Sequence, residues 1–211
     1  MGAFRLPRLL LAAGISAAVG GGAGVGLHLA HGADAARPAL AFPELHGQAV
    51  WPAGRRPAPV FALHDQNGRL VSLAGQRGRT VVVAFMDPRC RNECAIEGRA
   101  LALAERQVAP SQRPVLLIVS LGPGAEAAEA KRTARRWRFP AGWHWLLGRG
   151  AQLARVWRAY DIAVGAKANV IAHSGAVYVI DRSGFERAGV TAPFLPQFVA
   201  DDFRVLARGA A

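Results

Sequence analysis

Thr80-Val81-Val82-Val83-Ala84-Phe85 runs directly into Met86-Asp87-Pro88-Arg89-Cys90-Arg91-Asn92-Glu93-Cys94. An unbroken apolar run of this length is what a central strand covered on both faces looks like. The residues after it carry both cysteines of the chain and then a helical repeat, which predicts strand, turn and helix, the helix from about Cys90 to Gln107. On that helix Ile96, Ala100, Leu103 and Ala104 are expected to face the core, and Glu97, Glu105 and Arg106 the solvent.

Working outward, Pro114-Val115-Leu116-Leu117-Ile118-Val119-Ser120 reads as a second central strand. Ala127, Ala130, Ala134 and Trp137 repeat at helical spacing, and Leu153, Val156, Trp157 and Tyr160 mark a shorter helix. Ala176 to Ile180 is a strand, turned by Asp181-Arg182-Ser183-Gly184 into another that begins at Phe185. Pro196 opens a last helix at a favoured first position, with Val199, Phe203 and Leu206 inward and Asp201 and Asp202 nearer its positive end. Upstream, Phe61 to Ser72 reads as a hairpin with an Asn67-Gly68 turn. Hairpin, β, α, β, α, short helix, β-hairpin, α is an α/β order. It predicts a thioredoxin-like mixed sheet flanked by helices.

The chain has 211 residues, 52% of them apolar and 19% charged. That is enough for one domain with a real core plus a short extra segment, and it excludes disorder as the main state. Net charge is +12, and all but Lys131 and Lys167 of the 26 basic residues are arginine. Such charge attracts anionic surfaces without choosing among them.

Arg5 and Arg8 precede a stretch from Leu9 to Leu29 free of Asp, Glu, Lys and Arg. This is the layout of a secretory signal, with Ala33-Asp34-Ala35 as a small-x-small cleavage site, or of an uncleaved membrane anchor. Either one exports the remainder of the chain. Residues 1–35 are therefore expected to be signal or anchor, 36–58, rich in proline, a flexible linker, and 59–211 the folded domain. An extracytoplasmic place, anchored at the cytoplasmic membrane, is the expectation.

Two cysteines are too few for a disulfide scaffold or a four-cysteine zinc site. Four residues apart at a helix start, Cys90 and Cys94 share a face, where they can close a disulfide or hold one soft metal ion. The helix N-terminus with Arg89 and Arg91 favours a thiolate at Cys90, and Glu93 works against it. His46, His64 and His144 have no such company and read as structural histidines.

The segment Val83 to Cys94 resembles the Cys-x3-Cys region of the Sco/SenC family. Ile171-Ala172-His173-Ser174-Gly175-Ala176-Val177-Tyr178-Val179-Ile180-Asp181 is similar to that family's distal histidine and the strand after it, and Phe61, Leu63, Asp65 and Gly68 match its opening hairpin. The likeness covers about residues 59–209. The chain departs from it at the spacer Arg91-Asn92-Glu93, at Ala95, at Ala172, and at Gly122 to Glu126, where the family carries an acidic stretch.

The resemblance implies a membrane-tethered thioredoxin-fold protein that binds copper, as Cu(I) or Cu(II), through Cys90, Cys94 and His173. It implies delivery of copper to the CuA-bearing subunit of a haem-copper cytochrome oxidase, or reduction of that subunit's cysteines, with a thioredoxin-like protein as reductant. The rival reading is an extracytoplasmic thiol–disulfide oxidoreductase in which Cys90 attacks, Cys94 resolves and no metal takes part. A non-catalytic assembly factor is a third, because this fold hosts all of them. Lys131, Arg132, Arg135, Arg136 and Arg138 form a basic helix segment. Export argues against nucleic acid as its partner, and in favour of lipid headgroups or an acidic protein.

Overall fold

The computed structural model describes residues 45–167, 170–173 and 175–209. The segment expected to be a signal or anchor, residues 1–35, lies outside the described residues. Among the described residues no helix is long and apolar enough to cross a membrane.

The fold is thioredoxin-like. Strand β1 (Ala49–Val50) precedes a hairpin of β2 (Ala62–His64) and β3 (Leu70–Ser72), then come β4 (Val81–Met86) and helix α1 (Glu93–Arg106). Next are β5 (Val115–Ser120), α2 (Ala127–Trp137), β6 (Trp143–Leu146) and α3 (Gly150–Ala159). The chain closes with β7 (Val164–Lys167), β8 (Val170–His173), β9 (Val177–Ile180), β10 (Glu186–Val190) and α4 (Pro196–Arg208). One mixed sheet runs in the order β1-β10-β9-β4-β5-β6, and β2–β3 and β7–β8 form separate two-stranded sheets. Strands β4, β5 and β6 are parallel to one another, while β9 is antiparallel to β4 and β10 to β9.

Every residue of β4 and of β5 is buried, and alternate side chains divide two cores. Val82, Ala84 and Met86 meet Leu101 of α1, Trp137 of α2 and Phe203 of α4 on one face. Val81, Val83 and Phe85 meet Leu63 and Val71 of the hairpin and Leu153, Val156 and Trp157 of α3 on the other. Burying each such side chain is worth ~1.5–3 kcal/mol, so the middle of the sheet is the most firmly held part of the molecule.

The hairpin is tied to the sheet by Asp65. Its Oδ1 accepts the N–H groups of Asn67 at 2.8 Å and Arg69 at 3.0 Å, and its Oδ2 lies 2.9 Å from His144 Nδ1 on β6. Burial pushes this carboxyl up, but the hydrogen bonds from His144 and from the backbone of Arg69 and Asn67 outweigh it and hold it below its ordinary value. His144 is thus structural, as its lack of metal-ligating neighbours in the sequence suggests.

Three expectations need correction. Residues 45–58, expected to be the end of a linker, belong to the folded unit. Leu45 and Ala58 are buried, β1 pairs with β10, Arg56 forms an ion pair with Glu186, and His46 bonds to the buried Asp202 through its backbone N–H at 2.7 Å. The cause is the free edge of β10, which takes up the extended, proline-rich chain as a partner. Strand β6 and the β7–β8 pair are likewise absent from the expected order. Neither carries a long apolar run, and β6 is a strand because its backbone completes the edge of β5.

The third correction concerns α1, which is rotated from the expected face. Ile96 and Leu103 are 56% and 43% exposed, whereas Glu97 and Glu105 are 2% and 3% exposed. The buried stripe is Cys94, Ala95, Glu97, Gly98, Leu101, Ala102, Ala104 and Glu105. The Trp137 ring packs against this face at Gly98. A Cβ on Gly98 would overlap the Trp137 ring, so no side chain fits at that position.

Candidate metal and redox centre

The site is built on the loop between β4 and α1. At the end of β4, Asp87 folds the chain back on itself. Its Oδ1 accepts the Arg89 backbone N–H at 2.8 Å, its carbonyl accepts the Cys90 N–H at 3.1 Å, and the Arg89 guanidinium bonds both carboxylate oxygens at 3.1 Å. Arg89 is therefore committed to Asp87 and is not a free charge beside the sulfur, contrary to the sequence expectation. Asp87 bonding in turn pushes the Arg89 pKa further up.

Two neighbours fix this turn from outside. The buried Thr133 hydroxyl of α2 donates to the Pro88 carbonyl at 2.8 Å. Gly122, just after β5, leaves room for the Arg89–Asp87 pair, since a Cβ there would overlap the Arg89 guanidinium and press on Asp87 Oδ2. Removing the Thr133 hydroxyl leaves the Pro88 carbonyl without its buried donor, which costs about 1–3 kcal/mol. Thr133→Val is accordingly expected to lower the urea midpoint with an unchanged m-value, and an unaltered midpoint would show that the bond contributes nothing.

Helix α1 begins at Glu93, three residues later than expected, so Cys90 stands in the loop and Cys94 alone is helical. The two side chains are nevertheless hydrogen-bonded to each other. Both are thiols, Cys90 half-buried and Cys94 fully buried. Burial pushes the Cys94 thiol up, the Cys90 hydrogen bond and the charges of Cys90 and Glu97 act in the same direction, and the backbone at Asp87 opposes them. In the metal-free protein Cys94 is a protonated thiol, and Cys90 is the sulfur within reach of solvent.

Glu97, expected on the solvent side, lies one turn beyond Cys94 on the same buried face, a proximity that the i, i+3 rule contains. Burial, with Glu93 nearby, raises its pKa to about 8. Glu105, two turns further on, is also raised to about 8 by burial, against the opposing charges of Arg113 and Arg106. Between the ordinary carboxyl value of 4.5 and about 8, the folded protein keeps protons on these groups that the unfolded chain releases. Stability therefore falls as pH rises through that window. The melting midpoint of the metal-free protein is expected to drop by several degrees, at about 2–4 °C per kcal/mol, and Glu97→Gln with Glu105→Gln to flatten the drop. A wild-type midpoint independent of pH in this range would contradict the assignment.

His173 is the last residue of β8, paired in register with Val164 of β7. Its side chain, and Ser174, lie outside the described residues. Two positions beyond it, a Cβ on Gly175 would stand 3.2 Å from Glu97 Oε2, so Gly175 lies against the first turns of α1. Among the described residues no group of three or more His, Cys, Asp or Glu side chains forms a ready metal cluster. His46 stacks on Phe198 and bonds to Asp202, and the His64 backbone bridges to Leu147. Both are structural.

The sequence profile of the SCO1/SenC family matches residues 53–206. No curated protein matches the chain. Among solved structures, Arabidopsis thaliana ScoI with copper bound superposes with a TM-score of 0.64 at 17% identity, covering 72% of this chain and 98% of its own. A SCO1/SenC family lipoprotein from Bacillus anthracis gives 0.67 at 16% identity, covering 76% and 100%. BsSco, described as a Sco-family cytochrome c oxidase assembly protein with a disulfide switch, gives 0.63 at 14% identity, covering 77% and 100%. At these identities the likeness is one of fold.

Proposed function

Because the chain belongs to the SCO1/SenC family, we propose that it binds one copper ion through Cys90, Cys94 and His173 and serves in the assembly of a haem-copper cytochrome oxidase. In that role it delivers copper to the CuA-bearing subunit or reduces that subunit's cysteines. The observation that carries the reading is the hydrogen-bonded Cys90–Cys94 pair at the end of a fully buried strand. Two converging sulfurs suit a soft cation, and an imidazole in addition makes a three-donor site able to hold Cu(I) or Cu(II). The thiol pair suits this cargo, since a metal would replace the protons of Cys90 and Cys94.

The chain's own groups have separate tasks. Cys94, buried and held on α1, is the fixed donor. Cys90, half-buried in the loop, is the donor that an incoming acceptor ligand reaches first. Asp87, Arg89 and Thr133 hold the turn that keeps the two sulfurs together. In the reductive role Cys90 attacks an acceptor disulfide and Cys94 resolves the mixed disulfide, so two electrons and two protons leave the dithiol for the acceptor. A thioredoxin-like partner would restore it.

The relatives of similar fold fit both branches, one being a copper complex and another carrying a disulfide switch in oxidase assembly. Residues 1–35 serve in this reading as export signal or membrane anchor. The domain works outside the cytoplasm at the membrane, as the lipoprotein relative suggests, with the basic face of α2 turned to anionic lipid or an acidic partner.

The branches separate in one assay. Copper-loaded protein is mixed with a copper-free CuA domain, and metal-free reduced protein with the same domain in its disulfide form. Copper in the acceptor supports delivery, and acceptor thiols support reduction. If neither appears, the assembly role is wrong.

A further inference from the structure

The register of the sheet gathers arginines at one end of the molecule. Val81, at the start of β4, pairs with Val115 of β5 and with Ile180 of β9. The chain therefore enters β4 and β5, and leaves β9, at the end opposite the one where β4 leads into Cys90. Arg77 and Arg79 lie just before β4 and Arg182 just after β9, and all three are exposed. Arg182 Nε donates to the Gly78 carbonyl at 2.9 Å, and a Cβ on Gly184 would overlap the Arg77 guanidinium, so the two loops lie together. Helices α1, α2 and α4 finish at the same end. Arg106 donates to the Arg138 carbonyl at 2.7 Å, Arg113 to the Glu105 carbonyl at 3.1 Å, and Arg204 to the Gln107 carbonyl.

Of these arginines, Arg204 alone is ion-paired among the described residues, to Asp201. The other carboxyls at this end are taken, Asp181 by Arg187 and Glu105 by burial on α1. Cations at helix ends suit the helix dipole, but Arg77, Arg79 and Arg182 belong to no α-helix. Glu93, Glu126 and Glu129 stand instead at the starts of α1 and α2, toward the cysteines. A cleft of about 620 Å³, lined by Gly78, Asp181, Arg182, Arg187 and Leu206, opens between the Arg182 loop and the end of α4. It has room for a phosphate headgroup.

We propose that this arginine-rich end docks on an anionic phospholipid membrane, which leaves the cysteine turn open on the far side. The inference rests on the membrane placement proposed above and is independent of copper. Charge complementarity selects lipid over an acidic protein. A protein interface is centred on apolar and aromatic side chains, whereas a headgroup layer needs only cations. Among the described residues, neither these loops nor the last turns of α2 and α4 expose a large apolar side chain, and α1 shows only Leu103 near its end.

The test places the full chain in lipid nanodiscs of phosphatidylcholine alone, or of phosphatidylcholine and phosphatidylglycerol in equal parts. Labelling of each arginine by hydroxyphenylglyoxal is followed by mass spectrometry. Each arginine at an anionic surface is worth about fivefold in binding. Arg77, Arg79, Arg182 and Arg208 are therefore expected to react at least about tenfold more slowly on the anionic discs. Arg91 and Arg149, exposed at the cysteine end, should react equally on both. In about 1 M salt, where screening acts within ~3 Å, the protection should vanish. Joint replacement Arg77→Gln, Arg79→Gln and Arg182→Gln should weaken docking about 100-fold and free Arg208, whereas lysine at the same three positions should keep Arg208 protected.

Equal labelling on the two discs would overturn the proposal and leave α2 to an acidic protein. Protection of Arg91 and Arg149 in place of the other four would overturn it by turning the cysteine end to the bilayer. Failure of the chain to enter either disc would overturn the membrane placement beneath it, and the proposal with it.

Discussion

Replacing Cys94 with serine is expected to abolish tight Cu(I) binding, with a loss well beyond the roughly 10–100-fold that removing a supporting group costs. The exchange swaps a polarisable sulfur for a hard hydroxyl that stays protonated, and Cu(I) selects soft donors. Cys94 is fully buried and hydrogen-bonded to Cys90, so no solvent-borne ligand can take its place without opening the turn. Cys90→Ser should fail in the same way, although the half-buried loop position makes its loss easier to compensate. The measurement is competition against a Cu(I) chelator under anaerobic conditions, with circular dichroism to show that each variant is folded. Affinity unchanged in both variants would remove the cysteines from the site.

The largest effect on stability is expected at Trp137. The ring is 2% exposed, lies 5.6 Å from Trp145 and 6.0 Å from Phe139 between centroids, and carries α1 on its face. Trp137→Ala should cost about 3–5 kcal/mol. Against a total of ~5–15 kcal/mol for a native domain, this is enough to leave a large unfolded population at moderate temperature. Gly98 provides the sign test. On propensity alone Gly98→Ala stabilises a helix by about 1 kcal/mol, but the new methyl group overlaps the Trp137 ring, and overpacking costs ~1–3 kcal/mol. Net destabilisation in urea is the expected result. A more stable Gly98→Ala protein would show that α1 does not rest on Trp137 as described.

The parts of the fold that can be read in the sequence are those with a strong local signal. The β4 and β5 runs of buried aliphatic residues, the Asn67-Gly68 hairpin and the 3.6-residue repeats of α2, α3 and α4 all have their cause within a few residues. Where the cause is distant, pattern alone misleads. Ile96 and Leu103 look like core positions by hydropathy, but the helix turns its Gly98 face to the Trp137 ring, 41 residues from Ile96 in the sequence. Strand β6 and the residues 45–58 take their form from free sheet edges that are formed elsewhere in the chain.

The same distinction holds at the site. Cys90 and Cys94 can be paired from their spacing, although Cys90 meets Cys94 from a loop and not from the same helix. His173 can be added only through the family resemblance, and its side chain lies outside the described residues. Thr133 and Gly122 carry no signal of their own, because their importance depends on the Asp87–Arg89 turn that they support.

The central claim is that Cys90, Cys94 and His173 together hold one copper ion. X-ray absorption at the copper edge of the reduced protein, loaded with one equivalent of Cu(I), tests it most directly. The account predicts a first shell of two sulfurs and one imidazole nitrogen, with the nitrogen lost in His173→Ala and a sulfur lost in each serine variant. A shell without sulfur, or one in which His173→Ala changes nothing, would contradict it.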